Sequence, residues 1–270
     1  MLQPRSYMTV LSCAAALCAA CAGAVCAQDP DASKDKYQLL VEQLRSSATY
    51  AAAEKALIAS GPDAVPALVE GAVQLPNLKN RMTGRIARIG PGAVPKLIAL
   101  LGDPAMRDTA GGILFLVASP ASFEQVPALL ACARLPDTRH SCGMSLAKVM
   151  SAKAQAQVPA LAQALEDPDK DLRMYAAAAL GQGPAAKDAV QALAGALGDP
   201  EAAVRMAAAA ALGKMKGAAR DSLPALEKLA ADPNGDVAAA AAQAVKAIQG
   251  PKPKGPKSAG GAKKAPRKGR

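Results

Sequence analysis

One tetrapeptide theme recurs six times along this chain and limits its fold more than any other feature. It reads Val65-Pro66-Ala67-Leu68, Val94-Pro95-Lys96-Leu97, Val126-Pro127-Ala128-Leu129, Val158-Pro159-Ala160-Leu161, Val190-Gln191-Ala192-Leu193 and Leu223-Pro224-Ala225-Leu226, in steps of 29, 32, 32, 32 and 33 residues. A fixed period of this size marks a repeat array, in which each unit buries its apolar face only against its neighbours. Such an array presents an extended surface on which something can be held.

A second phrase lies about 20 residues upstream of the theme. In the fifth unit it runs from Leu172 to Gly181, and in the sixth from Val204 to Gly213. Its apolar positions fall at i, i+4 and i+8, which share one face of a helix. Small alanines at the middle position admit a neighbouring helix closely. Gly181 and Gly213 follow the last periodic leucine, where a left-handed C-terminal stop is predicted.

The theme itself opens the partner helix, with proline one residue inside the start, where a missing N–H costs nothing. Val126, Leu129, Leu130 and Ala133 keep helical spacing, as do Leu161 and Leu165. These helices run into turn chemistry at Gly102-Asp103-Pro104, Leu135-Pro136-Asp137, Glu166-Asp167-Pro168, Gly198-Asp199-Pro200 and Asp232-Pro233-Asn234. Each unit is therefore predicted to be helix–turn–helix, and no strand-like alternation interrupts the pattern.

At this level of detail the chain resembles the HEAT-repeat family, in the short HEAT-like form shared with phycobilin lyases. That pattern is Asp-Pro, then Val-Arg, then Ala and Leu-Gly, then Val-Pro-x-Leu. The resemblance covers residues 46–249 as six units. It is loosest at the front, where Leu78-Lys79, Met82 and Ile86-Ala87, and before them Thr49-Tyr50, Ala53 and Leu57-Ile58, stand in for the pattern. Lys36 to Arg45 fits a capping helix, and Val237 to Ile248 a closing half repeat. The resemblance implies an all-α, right-handed, armadillo-like α-solenoid whose second helices line a concave side.

One charged column also repeats: Lys79, Arg107, Arg139, Arg173 and Arg205. As a functional feature it would be a basic ladder for phosphates. As a structural feature, each side chain would bind turn acids or carbonyls next door, such as Asp103, Asp169 or Glu201. The structural reading is preferred, because a ladder that repeats with the fold serves the fold.

The first 27 residues read as a leader. Arg5 precedes an apolar run from Met8 to Val25, which closes on Val25-Cys26-Ala27 before the polar Gln28-Asp29-Pro30-Asp31. This is the pattern of a secretory signal peptide cut after Ala27, giving an exported chain, periplasmic or extracellular. The alternative is a lipoprotein anchored at Cys21, although Cys18 stands where that pattern wants leucine. A retained membrane helix is the weaker reading of so short a run. Residues 28–45 are then linker and capping helix.

The formal charge of +10 is concentrated at the other end. Residues 251–270 hold Lys252, Lys254, Lys257, Lys263, Lys264, Arg267, Lys268 and Arg270 and no acid, leaving about +1 for residues 28–250. The segment 250–270 is Pro, Gly, Ala and Lys, unable to bury apolar surface and expected to be disordered. It offers charge to an anionic envelope polymer, lipid or nucleic acid. It has no aromatic residue on which bases could stack, and the whole chain has no Trp.

Cys132 and Cys142 flank the Leu135-Pro136-Asp137 turn and are candidates for a disulfide that would pin the third unit to the fourth; two small buried residues are the alternative. His140, the only histidine, lies between them. Three ligands at this spacing fall short of a closed zinc site. A single histidine also lacks the repeated His-Glu pairs of the iron hydroxylases that share the repeat. No Gly-x-Ser-x-Gly elbow or phosphate-binding loop is present, and the Gly111-Gly112 pair reads as a packing feature.

No catalytic, metal or cofactor residues are therefore assigned. The expected function is a non-catalytic exported scaffold, a monomer, holding a protein partner on the solenoid surface while the tail tethers it to an anionic surface. A nucleic-acid or polyanion binder acting through the tail is the first alternative, and a bilin-lyase-like ligand-handling protein the second.

Overall fold

A computed structural model describes residues 30–46, 48–151 and 153–250, with side chains from Lys36 onward. The expected leader, residues 1–27, and tail residues 251–270 lie outside the described residues. Within them all regular structure is helical: α1 Pro30–Gln43, α2 Tyr50–Ala59, α3 Val65–Gln74, α4 Lys79–Ile89, α5 Val94–Leu100, α6 Arg107–Val117, α7 Val126–Ala133, α8 Arg139–Val149, α9 Val158–Ala164, α10 Lys170–Leu180, α11 Lys187–Ala196, α12 Ala202–Met215, α13 Leu223–Leu229 and α14 Gly235–Gln249. Among the described residues no helix is long and apolar enough to cross a membrane.

The helices pair as α2–α3, α4–α5, α6–α7, α8–α9, α10–α11 and α12–α13, between a cap (α1) and a half unit (α14). First helices stack in series from α2 to α14, and second helices form the other layer. The cap is longer than its expected core of Lys36 to Arg45, starting already at Pro30. Proline suits a first turn, and nothing between Pro30 and Lys36 breaks a helix.

Five second helices open on the first residue of the theme, at Val65, Val94, Val126, Val158 and Leu223. Each is entered through a 3₁₀ turn: Gly61–Ala64, Gly90–Ala93, Pro120–Gln125, Gln155–Gln157 and Lys216–Ser222. The exception is α11, which begins at Lys187, before Val190. Gln191 replaces proline there and keeps an N–H, so the helix extends upstream.

The leucine that closes each theme is the core. Leu68, Leu97, Leu129, Leu161, Leu193 and Leu226 are all 0% exposed. They meet Leu57, Ile86, Leu114, Leu146, Leu180 and Leu212 of the first helices, equally buried. Burying one such side chain contributes about 1.5–3 kcal/mol, so the six repeats of one phrase supply a continuous apolar spine.

The glycine stops expected at Gly181 and Gly213 are not left-handed. Gly181 has φ −66° and ψ −13°, and Gly213 lies inside α12. Proximity is the reason for both residues. A Cβ on Gly181 would lie 2.7 Å from the Cα of Ala211, and one on Gly213 would lie 3.0 Å from the Cα of Ala244. Of the Gly111-Gly112 pair, Gly111 faces Ser141 on α8, whereas Gly112 has open space around it.

Candidate interaction surface

Four members of the basic column reach an acid of the next unit, and Arg173 and Arg205 do so through one repeated clamp. Arg173 holds Asp199 through two parallel bonds, Nε to Oδ2 at 2.7 Å and Nη2 to Oδ1 at 3.0 Å. Its Nη1 donates to the carbonyls of Asp167 and Pro168 at 2.9 and 3.1 Å. Arg205 repeats the arrangement on Asp232. Arg107 reaches Asp137 at 2.9 Å, and Arg139 reaches Asp169 at 2.7 Å. Two of the acids named from sequence act elsewhere: Asp103 accepts from the amide of Ala105, and Glu201 lies 3.9 Å from Lys170. Lys79, at the exposed start of α4, joins no ion pair among the described residues.

The clamp shows in its titration. Partial burial pushes the Asp199 carboxyl up, but hydrogen bonds from Arg173 and the Glu201 amide, with the charges of Arg173 and Arg205, hold it below the usual range. The hydrogen bond from Arg205, and then the Asn234 amide, do the same for Asp232. The guanidinium groups of Arg107, Arg139, Arg173 and Arg205 are therefore engaged by the turns.

A further charged cluster joins the first two units. Arg85 is 2% exposed, in the column occupied in later units by the buried Ile113, Ser145, Ala179 and Ala211. Its guanidinium donates to the Tyr50 hydroxyl and lies 3.6 Å from Glu54, which Arg88 also reaches at 3.2 Å. Tyr50 and Glu54, four apart on α2, oppose Arg81, Arg85 and Arg88 on one face of α4. That spacing was the available signal, and the apolar period conceals it.

The two layers present different surfaces. First helices approach through glycine and alanine, leaving Phe115, Leu116, Met144 and Met206 exposed on their outer side. Second helices carry exposed prolines and short side chains at Pro95, Ala99, Pro127, Ala131, Pro159 and Gln191. Clefts open between them. The α5–α7 cleft, about 410 Å³, is lined by Ile98, Ala99, Leu101, Ala128, Ala131 and Leu135 among others. The equivalent α9–α11 cleft, about 380 Å³, replaces part of that lining with Glu166, Gln191 and Asp199. One architectural position thus carries apolar lining in one place and polar lining in another.

Cys132 and Cys142 form a disulfide across the α7–α8 turn, with Cα atoms 6.0 Å apart. His140 Nδ1 is 2.9 Å from the Tyr175 hydroxyl. The Tyr175 phenol is raised by burial and by the nearby Asp171 charge. Among the described residues no group of His, Cys, Asp or Glu is arranged to hold a metal ion.

Residues 158–246, from α9 into α14, match the family of HEAT repeats. No relative is found among curated proteins. Similar solved structures include an engineered protein, at 20% identity and TM-score 0.46, covering 79% of this chain and 96% of that one. A designed armadillo repeat protein in complex with the peptide (KR)4 has 20% identity and TM-score 0.43, over 79% of this chain and 99% of its own. Human deoxyhypusine hydroxylase in complex with glycerol has 19% identity and TM-score 0.37, over 81% and 98%.

Proposed function

We propose that this HEAT-repeat array is a non-catalytic scaffold that holds an extended segment of a protein partner across its second helices. The observation that carries this reading is a pair of inter-unit clefts. They lie at one architectural position, yet their lining changes from apolar between α5 and α7 to part polar between α9 and α11. A recurring position with varied lining suits a chain read side chain by side chain. Their shallow walls and short side chains suit contact more than enclosed chemistry.

Export and tethering belong to the same proposal. The leader pattern of residues 1–27 would take the chain to the periplasm or outside the cell. The basic residues between Lys252 and Arg270 would hold it at an anionic surface through salt-sensitive attraction.

The experiment is site-specific photocrosslinking in the native cell, with the probe at Ala131 or Gln191 on the second helices and at Met206 on the first. One partner recovered from both second-helix positions, and retained after deletion of residues 251–270, is the expected result. Crosslinks only from Met206, or loss of all binding with the tail, would overturn it. Fractionation with intact mass tests the address: the expected mature chain begins at Gln28 in the exported fraction, and an uncut cytosolic chain refutes export.

A further inference from the structure

Four of the six turns that join a second helix to the next first helix are closed by an aspartate. Asp103 accepts from the Ala105 amide at 2.9 Å, Asp167 from Asp169 at 3.0 Å, Asp199 from Glu201 at 2.8 Å and Asp232 from Asn234 at 2.8 Å. Each carboxylate holds the amide two residues on, which fixes the turn ahead of the next helix. In the other two that position is Leu75, between α3 and α4, and Leu135, between α7 and α8, neither of which has an acceptor to offer; Leu135 is 58% exposed.

That same turn carries the disulfide. Cys132 ends α7 and Cys142 sits in α8, so the bond straddles Leu135. At the equivalent positions the two following units have Ala164 and Ala196 for Cys132, where the rest have Gly71, Leu100 and Leu229, and Ala110, Ala176 and Ala208 stand for Cys142, with Met82 in the second unit. At this junction a turn without its carboxylate and a covalent bond across it coincide, whereas the α3–α4 turn lacks the carboxylate and has no cysteine beside it. The turn also carries both ends of consecutive clamps, since Asp137 receives Arg107 and Arg139 reaches Asp169. Thr138 adds one local bond, donating to the Cys132 carbonyl at 2.7 Å.

We infer that the Cys132–Cys142 disulfide replaces the missing turn carboxylate, and that the junction of the third and fourth units is the redox-sensitive joint of the array. In forming it, the two thiols lose two protons and pass two electrons to a disulfide oxidant, which leaves as two thiols. A dithiol reductant reverses the exchange and departs as its cyclic disulfide. With the bond open, no side chain closes the turn in the manner of the other four. The α5–α7 cleft would loosen with it, because Cys132, Leu135 and Thr138 form one of its walls.

The test uses the full chain treated with oxidised glutathione and then melted with and without dithiothreitol. The oxidised chain is expected to weigh two protons less than the reduced one across the peptide holding both cysteines. Reduction is expected to lower the melting midpoint by about 5 °C and to open tryptic cleavage at Arg134 and Arg139. The variant C132A/C142A, which places the alanine of the following units at both positions, should melt like the reduced chain and ignore the reductant. That variant also controls for the cysteines of residues 1–27. Adding L135D should recover most of the loss in the double-alanine variant and little in the oxidised parent. Equal gains in both backgrounds would show that carboxylate and disulfide act independently, and would overturn the inference. So would a melt and cleavage pattern that reductant leaves unchanged, or failure of the bond to form.

Discussion

Arg205 grips Asp232 through two parallel bonds, Nε to Oδ2 at 2.9 Å and Nη2 to Oδ1 at 3.0 Å, while its Nη1 holds the carbonyls of Asp199 and Pro200 at 2.9 and 3.0 Å. One side chain ties the turn before its own helix to the turn before the next. Arg173 does the same one unit earlier. Planar, five-donor geometry is what makes this possible, because a carboxylate and two carbonyls are met at once.

Arg173→Ala should therefore lower the urea midpoint clearly, since it leaves Asp199, whose side chain is 7% exposed, without its partner. Arg173→Lys should recover little of the loss, as one ammonium cannot span all three acceptors. Lys170→Ala, which removes an exposed pair at 3.9 Å, should stay within about 0.5 kcal/mol. Equal effects of the two alanine variants would reject the clamp.

Acid should open the same clamps. Asp199 and Asp232 titrate below their ordinary range when folded. Their contribution is complete above the unfolded carboxylate value of about 3.9 and is lost as pH falls through the depressed folded values. The melting midpoint should be flat from pH 7 to about 5 and fall below about 4. Asp199→Asn should lower the midpoint at neutral pH and flatten the acid slope, as read by circular dichroism across the series.

The helical glycines should divide by their surroundings. Gly181→Ala puts a methyl 2.7 Å from the Ala211 backbone, so it should destabilise by about 1–3 kcal/mol. Gly112→Ala, exposed and with nothing within 4 Å, should stabilise by about 0.5–1 kcal/mol. Chemical denaturation of both variants decides; a gain at Gly181 would mean that the α10–α12 spacing is looser than described.

Lys216 follows α12 with φ 51° and ψ −129°. Gly90 holds nearly the same conformation after α4, with φ 76° and ψ −148°. This region admits glycine and strains other residues. Lys216→Gly should stabilise the sixth unit by about 1 kcal/mol, measurable as slower amide exchange in α13 and α14. Unchanged exchange would mean that the strain is absent in solution.

Much of the architecture is legible in the sequence because one phrase does one job at each recurrence. Val-Pro fixes a helix start and the following Leu fixes the core, so Val126 and Leu129 already place α7 and its buried face. Where the phrase loses its proline, at Gln191, the start moves upstream to Lys187, which only helix continuity reveals. Gly181 and Gly213 are misleading because a glycine needed for a left-handed turn and one needed for close approach look the same in a linear pattern. The charged column is legible as a repeat that binds neighbouring turns, with Asp169 among its partners, but Asp199 and Asp232 are not, because they lie one unit away and only stacking brings them near. Arg85 breaks the apolar period without announcing why, since its partners Tyr50 and Glu54 belong to another helix.

The reach of each clamp orders events during synthesis. Arg173 must wait for Asp199, 26 residues later, and Arg205 for Asp232, 27 residues later. A newly made unit emerging from the ribosome thus keeps an unfilled guanidinium until the turn of its successor appears. Assembly is thereby given a direction, with the growing end the unfinished one and Asp232, in the turn before α14, closing the last clamp.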